Sequence, residues 1–115
     1  MGRQPLIMKD PILLVGSAHT AIVNVPVSPS GMACTAELFL SADGEKTKAT
    51  TSGAIPFTST GILQSISLPV VMPTVGGIAY SVYINIVSGG VVIAAYQGTE
   101  NVIVPLVGAP TIAWG

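Results

Sequence analysis

Residues 80–96 limit the possible folds more than any other stretch of this chain. Two apolar runs, 80–87 and 91–96, flank Ser88, Gly89 and Gly90. Tyr80, Val82, Ile84 and Ile86 alternate with Ser81, Tyr83 and Asn85, the period-two pattern of a strand with one face turned inward. A Gly-Gly pair between two such runs predicts a β-hairpin, because a two-residue turn that matches strand twist needs positive φ at one or both positions. A third strand is expected just before the hairpin, with Ile62, Ile66 and Leu68 on its inner face and Leu63, Ser65 and Ser67 on its outer face. After a kink or bulge at 97–99, Val102, Ile103 and Val104 resume a strand pattern. No segment has a helical period of useful length.

The first half reads the same way. Residues 11–15 form a short apolar strand candidate. Residues 20–27 alternate, with Ala21, Val23, Val25 and Val27 on one face and Pro26 at the strand end or on an edge. Pro29 to Gly31 is a turn. In residues 35–42, Ala36, Leu38, Leu40 and Ala42 are expected inward, and Thr35, Glu37, Phe39 and Ser41 outward. Asp43-Gly44 is a turn signal, and the charged residues from Asp43 to Lys48 read as a solvated loop tip. Residues 47–57 read as an edge strand guarded by Pro56. Residues 69–77, rich in Pro and Gly, are expected to cross to the next strand. Strands recurring with turn signals between them predict an all-β antiparallel sandwich of about seven strands. It occupies residues 11–104, between an N-terminal arm at 1–10 and an apolar C-terminal arm at 105–115.

A chain of 115 residues has room for one core. Charge is scarce: 8% of residues are Asp, Glu, Lys or Arg, against roughly 25% in an ordinary soluble domain. From residue 49 onward only Glu100 is charged, and the formal net charge is −1. Free monomers usually stay soluble through interspersed surface charge. Two readings follow from its scarcity: a Ser/Thr-rich extracellular surface, or a surface covered by neighbouring subunits. Lys46 and Lys48 are interleaved with Asp43 and Glu45, so there is no basic patch and no nucleic-acid partner is expected. Arg3 and Lys9 precede the apolar run at 11–15, but that run is too short for an export signal. No run approaches the length of a transmembrane helix, so membrane insertion is not expected.

Gly77, Tyr80, Ser81 and Val82 resemble the immunoglobulin-like family, as do the wider runs 68–73, 80–84 and 91–96. The likeness extends over roughly residues 60–104, to the Ig-like modules of phage and bacterial surface proteins, including the cell-adhesion-related bacterial type. It implies an Ig-like sandwich with a tyrosine corner, in which the Tyr80 hydroxyl folds back onto the preceding loop. The chain departs from antibody-type domains. It has no cysteine pair, its one Trp is in the tail, and Tyr80 follows Gly77 by three residues.

Catalytic machinery is thin. His19 is the single histidine and Cys34 the single cysteine. An intrachain disulfide is excluded. Cys34 reads as a buried small hydrophobe, with an intermolecular bridge as the alternative. No zinc set is in view, and Asp43 and Glu45 lack calcium-loop spacing. The glycine pairs lie between strands, not before a helix, so no phosphate cradle is expected. No catalytic, cofactor-binding or metal-binding residue is assigned, no cofactor is expected, and a small-molecule ligand is not expected.

The expected function is therefore non-enzymatic. The chain reads as a structural protein of a virion, such as a phage capsid decoration or head/tail accessory protein. Its expected partners are other copies of itself or a larger shell or surface protein, held by uncharged sheet faces and terminal arms. The alternative is an Ig-like adhesion or carbohydrate-binding module of a secreted bacterial or archaeal surface protein. Either reading places it on a virion or an extracellular surface. The candidate interaction residues are Phe39, Tyr83, Asn85, Glu100 (with Arg3 or a lysine as its expected partner) and Trp114. Ser65, Ser67, Ser81, Tyr83 and Asn85 are expected to form the uncharged docking face.

Overall fold

Alternation of apolar and polar side chains, with glycine and proline at the breaks, yields nine strands among the described residues. The computed structural model describes residues 3–6, 16–99, 101–105 and 113–114. The strand candidate at 11–15 and Glu100 lie outside them.

The longest strands are β2 (Ala18–Pro26), β3 (Ala33–Ser41), β6 (Leu63–Val71), β7 (Ile78–Ser88) and β8 (Val91–Gly98). Shorter ones are β1 (Gln4–Leu6), β4 (Thr50–Thr51), β5 (Ile55–Thr58) and β9 (Val102–Val104). Seven strands form one sheet, in the order β1-β8-β7-β3-β4, with β5 also on β3 and β9 also on β7. β2 and β6 form a separate antiparallel pair. The result is an all-β, sandwich-like architecture.

The core lies between the two sheets. Val23 and Val25 of β2 and Ile66, Leu68 and Val70 of β6 face Ala36, Leu38 and Leu40 of β3 and Val82, Ile84 and Ile86 of β7. Leu68, Ile86 and Val104 are wholly enclosed. Burying a side chain of that size contributes about 1.5–3 kcal/mol. Cys34 is buried in β3, as a small hydrophobe would be.

The β7–β8 hairpin turns at Gly89 and Gly90, with φ of 58° and 77°. Ser88 and Val91 are directly opposed, so the loop has two residues. Opposite Ile86 and Val87 stand Ala94 and Val92, which leaves Ile93 as the extra residue of a bulge. β9 pairs farther along β7, from Tyr80 opposite Val102 to Ile78 opposite Val104. The break expected at 97–99 falls later than expected: Gln97 and Gly98 are still paired in β8, and β9 begins at Val102.

The strand expected before the hairpin is β6, and it pairs with β2 in the other sheet, in register from Ala18↔Val71 to Pro26↔Leu63. Three expectations need correction. First, β6 runs through Pro69, which was expected to lie in a link; the proline sits opposite Thr20, with β2 as the one ladder partner of β6 among the described residues. Second, Ile62 precedes the strand and is 71% exposed. Third, the edge expected at 47–57 is broken into β4 and β5. Between them the Ser52 hydroxyl accepts the Leu38 N–H at 3.0 Å and the Ser52 N–H donates to the Leu38 carbonyl at 2.8 Å.

Part of the N-terminal arm is a strand of the larger sheet: Gln4–Leu6 pairs in parallel with β8, Gln4 opposite Tyr96 and Leu6 opposite Gly98.

Candidate functional site

The outer face of the larger sheet gathers three of the residues singled out from sequence. Phe39 on β3 and Tyr83 on β7 are direct cross-strand partners. Their rings stack with centroids 5.1 Å apart and an interplanar angle of 22°. Asn85, two residues along β7, lies on the same face, opposite Glu37. Period two correctly put these side chains on the outer face.

Their exposure is a correction. Phe39 is 3% exposed and Tyr83 4%. Arg3 covers them: its guanidinium carbon lies 4.8 Å from the Tyr83 centroid and 5.8 Å from that of Phe39. Lys48 Nζ lies 4.8 Å from the Phe39 centroid. Two cations thus roof a pair of stacked rings, an arrangement favoured by the electron-rich ring faces. Ser41, also expected outward, is buried, while Ala42, expected inward, is exposed beyond the end of β3.

Arg3 is held on all sides. Its Nη1 donates to Asn85 Oδ1 at 2.8 Å and to the Tyr96 carbonyl at 3.0 Å. The Ile84 carbonyl, at 3.3 Å, shares the same group. Nη1 has two protons for three acceptors, so the longest contact is the weak one. Nε donates to Glu45 Oε1 at 3.1 Å, and Nη2 forms an ion pair with the same oxygen. Hydrogen bonds to a charged group contribute about 1.5–3 kcal/mol each when shielded from water.

The loop after β3 presents Glu45 to this arginine. Ser41 Oγ donates to Asp43 Oδ1 at 2.7 Å and accepts the Glu45 N–H at 3.1 Å. The Thr47 N–H donates to Asp43 Oδ1 at 2.9 Å. These bonds to the charged form hold the Asp43 carboxyl down at about 2. Within this frame Glu45 adopts a φ of 75°. A non-glycine residue pays for left-handed backbone, and here that conformation accompanies the pairing with Arg3. Beside it, Lys48 donates to both Glu37 oxygens, at 3.0 and 2.9 Å, and the Thr51 hydroxyl donates to Glu37 Oε2. Burial pushes the Glu37 carboxyl up, but the Thr51 hydroxyl and Lys48 outweigh it and hold it below the usual glutamate range.

Charge is therefore segregated. Of the nine charged residues, Lys9, Asp10 and Glu100 lie outside the described set. The other six are Arg3, Glu37 and four members of the loop that follows β3: Asp43, Glu45, Lys46 and Lys48. All of them belong to the outer face of the larger sheet or to the loop at its end.

The outer face of β2–β6 is the opposite case. Thr20, Ile22, Asn24 and Pro26 of β2 and Leu63, Ser65, Ser67, Pro69 and Val71 of β6 are all exposed and uncharged. Ile22 is 66% exposed and Leu63 64%. Ser65 Oγ donates across the pair to Asn24 Oδ1 at 2.5 Å. The uncharged docking face expected from sequence is thus split. Ser65 and Ser67 sit on this small sheet, whereas Ser81, Tyr83 and Asn85 belong to the other one.

The remaining candidates do not converge on a site. Trp114 is 89% exposed. His19 is exposed on β2, with its Nε2 2.7 Å from Ser17 Oγ, beside a groove of about 350 Å³ that Thr50, Thr51 and Val71 also line. Cys34 lies in the other sheet from His19. No group of three His, Cys, Asp or Glu side chains able to hold a metal occurs among the described residues. The Tyr80 hydroxyl donates to the Val75 carbonyl at 3.0 Å, the fold-back onto the preceding loop that the resemblance implies. No family model matches this sequence, and no curated protein or solved structure matches it.

Arg3 was named from sequence only as an expected partner of Glu100, which lies outside the described residues; its place against Glu45, Asn85 and the Phe39–Tyr83 pair was missed, because nothing local named that target.

Proposed function

We propose that this chain is a non-enzymatic assembly protein: an immunoglobulin-like sandwich serving as a structural component of a virion. A phage capsid decoration protein or a head/tail accessory protein is the best fit. It binds neighbouring subunits, other copies of itself or a larger shell protein, and it does so chiefly through the uncharged outer face of β2–β6.

The observation that carries this reading is the segregation of charge. All six described charged residues lie on the outer face of the larger sheet or in the loop at its end, while the outer face of β2–β6 exposes Ile22, Leu63 and Val71 with none. A contiguous uncharged face with large apolar side chains suits burial against another protein. The Tyr80–Val75 hydrogen bond supports the Ig-like part of the reading. The glycan-binding alternative needs exposed rings for stacking; Phe39 and Tyr83 are buried, which leaves Trp114 as the one exposed Phe, Tyr or Trp ring among the described residues.

Sedimentation velocity of the purified chain tests the proposal. The expected result is a concentration-dependent species larger than a monomer. Ile22→Glu should return it to the monomer while leaving the thermal transition in place, because Ile22 lies outside the core. A monodisperse monomer at every concentration overturns self-assembly, and capture of glycans by that monomer would favour the alternative.

A further inference from the structure

The contacts of Arg3 define a socket, and nearly all of it comes from distant chain. Its acceptors are Asn85 Oδ1, the carbonyls of Ile84 and Tyr96, and the Glu45 carboxylate. Its floor is the stacked Phe39–Tyr83 pair. Every one of these groups belongs to β3, β7, β8 or the loop after β3. The arm that fills the socket supplies little beyond Arg3 and the three-residue strand β1. Such a site recognises a guanidinium on an extended segment, wherever that segment originates.

We propose that this socket is exchangeable, and that in the assembly it is filled by Arg3–Leu6 of a second copy of the chain. This rests on the assembly reading above. Three observations point to it. Among the described residues β1 is an edge strand, joined to the sheet by one short parallel ladder. Nine residues separate Leu6 from Gly16, and nine residues span up to about 30 Å when extended. That reach is enough to carry the arm onto a neighbour. The contacts are identical within and between chains, so exchange adds a joint between subunits without new chemistry. The chain's own arm competes at an effective concentration of about mM. Exchange therefore grows with protein concentration, or with the crowding of subunits already held through β2–β6.

Mixed disulfide trapping tests this with the full chain. Pro5 and Gln97 are directly opposed across β1 and β8, and both are exposed. One chain carries Pro5→Cys and the other Gln97→Cys, each with Cys34→Ser. Neither chain can close the joint on itself. Mixed at high concentration and oxidised, they should give a heterodimer in excess of random pairing between the two thiols. Adding Arg3→Ala to the Pro5→Cys chain should reduce that excess, and both homodimers serve as controls.

A yield no greater than random pairing overturns the exchange. If the chain still self-associates in sedimentation, the β2–β6 reading stands without it. If the chain is a monomer throughout, both fall. Should Cys34→Ser impair folding, the same experiment with Cys34 retained is equally decisive, because Cys34 is buried.

Discussion

Asp43 shows how one exposed side chain organises a loop. Its carboxylate accepts from Ser41 Oγ and from the Thr47 N–H, and the same loop holds Glu45 in left-handed backbone beside Arg3. Its pKa is depressed to about 2. A depressed carboxyl stabilises the fold above its unfolded value, and that contribution is lost as pH falls through the folded value. Urea unfolding midpoints should therefore decline between about pH 4 and about pH 2. Asp43→Asn should be less stable than the parent at neutral pH, and the gap should narrow across that acid window. Parallel profiles for the two chains would show that the carboxylate contributes nothing. At this scale the sequence was half legible. The period of β3 and β7 put Phe39, Tyr83 and Asn85 on one outer face. Their burial was not legible, because the cover comes from Arg3 and Lys48, whose distance along the chain no local pattern can bridge.

Elements were more readable than their partners. β2, β3, β7 and β8 appear close to where alternation places them, and Gly89-Gly90 turns as that pair should. Both glycines have positive φ, and a side chain at either position would meet nothing within 4 Å. The cost of substitution is thus backbone alone. Gly89→Ala or Gly90→Ala should each destabilise by about 1–2 kcal/mol, and Gly89→Asn by less, as read by chemical denaturation. Equal stability of all three variants would mean that the turn does not hold its conformation in solution. The pairing of β6 with β2 was not legible, because a period of two tells which face is buried and not which strand lies alongside. Pro69 misled for a related reason. Proline usually ends a strand, but a strand with one ladder partner can leave its missing N–H on the open side. The broken β4–β5 edge depends on the Ser52 hydroxyl reaching Leu38, a contact that composition does not announce.

The whole molecule is a sandwich-like fold whose core, among the described residues, runs as far along the chain as Val104. A chain ending after Pro105 should therefore keep a cooperative thermal transition within ~4 °C of the full-length protein. Calorimetry measures this directly, and loss of cooperativity would place the tail within the folding unit. The fold class was legible because nearly the whole length alternates and breaks like a β protein. The separation of charge was partly legible, since residues after 49 are almost free of it, but its gathering on one side required the fold to bring Arg3 onto Phe39 and Tyr83. That asymmetry has a further consequence. A body whose described charges lie on the outer face of one sheet or in the loop at its end, and whose other outer face has none, has a top and a bottom before it touches anything. Water holds the ionic side outward, and the bare side is the cheaper one to dry. In the assembly proposed above, orientation against a neighbour is then set by hydration first, and atomic fit need only refine a pose that solvent has already chosen.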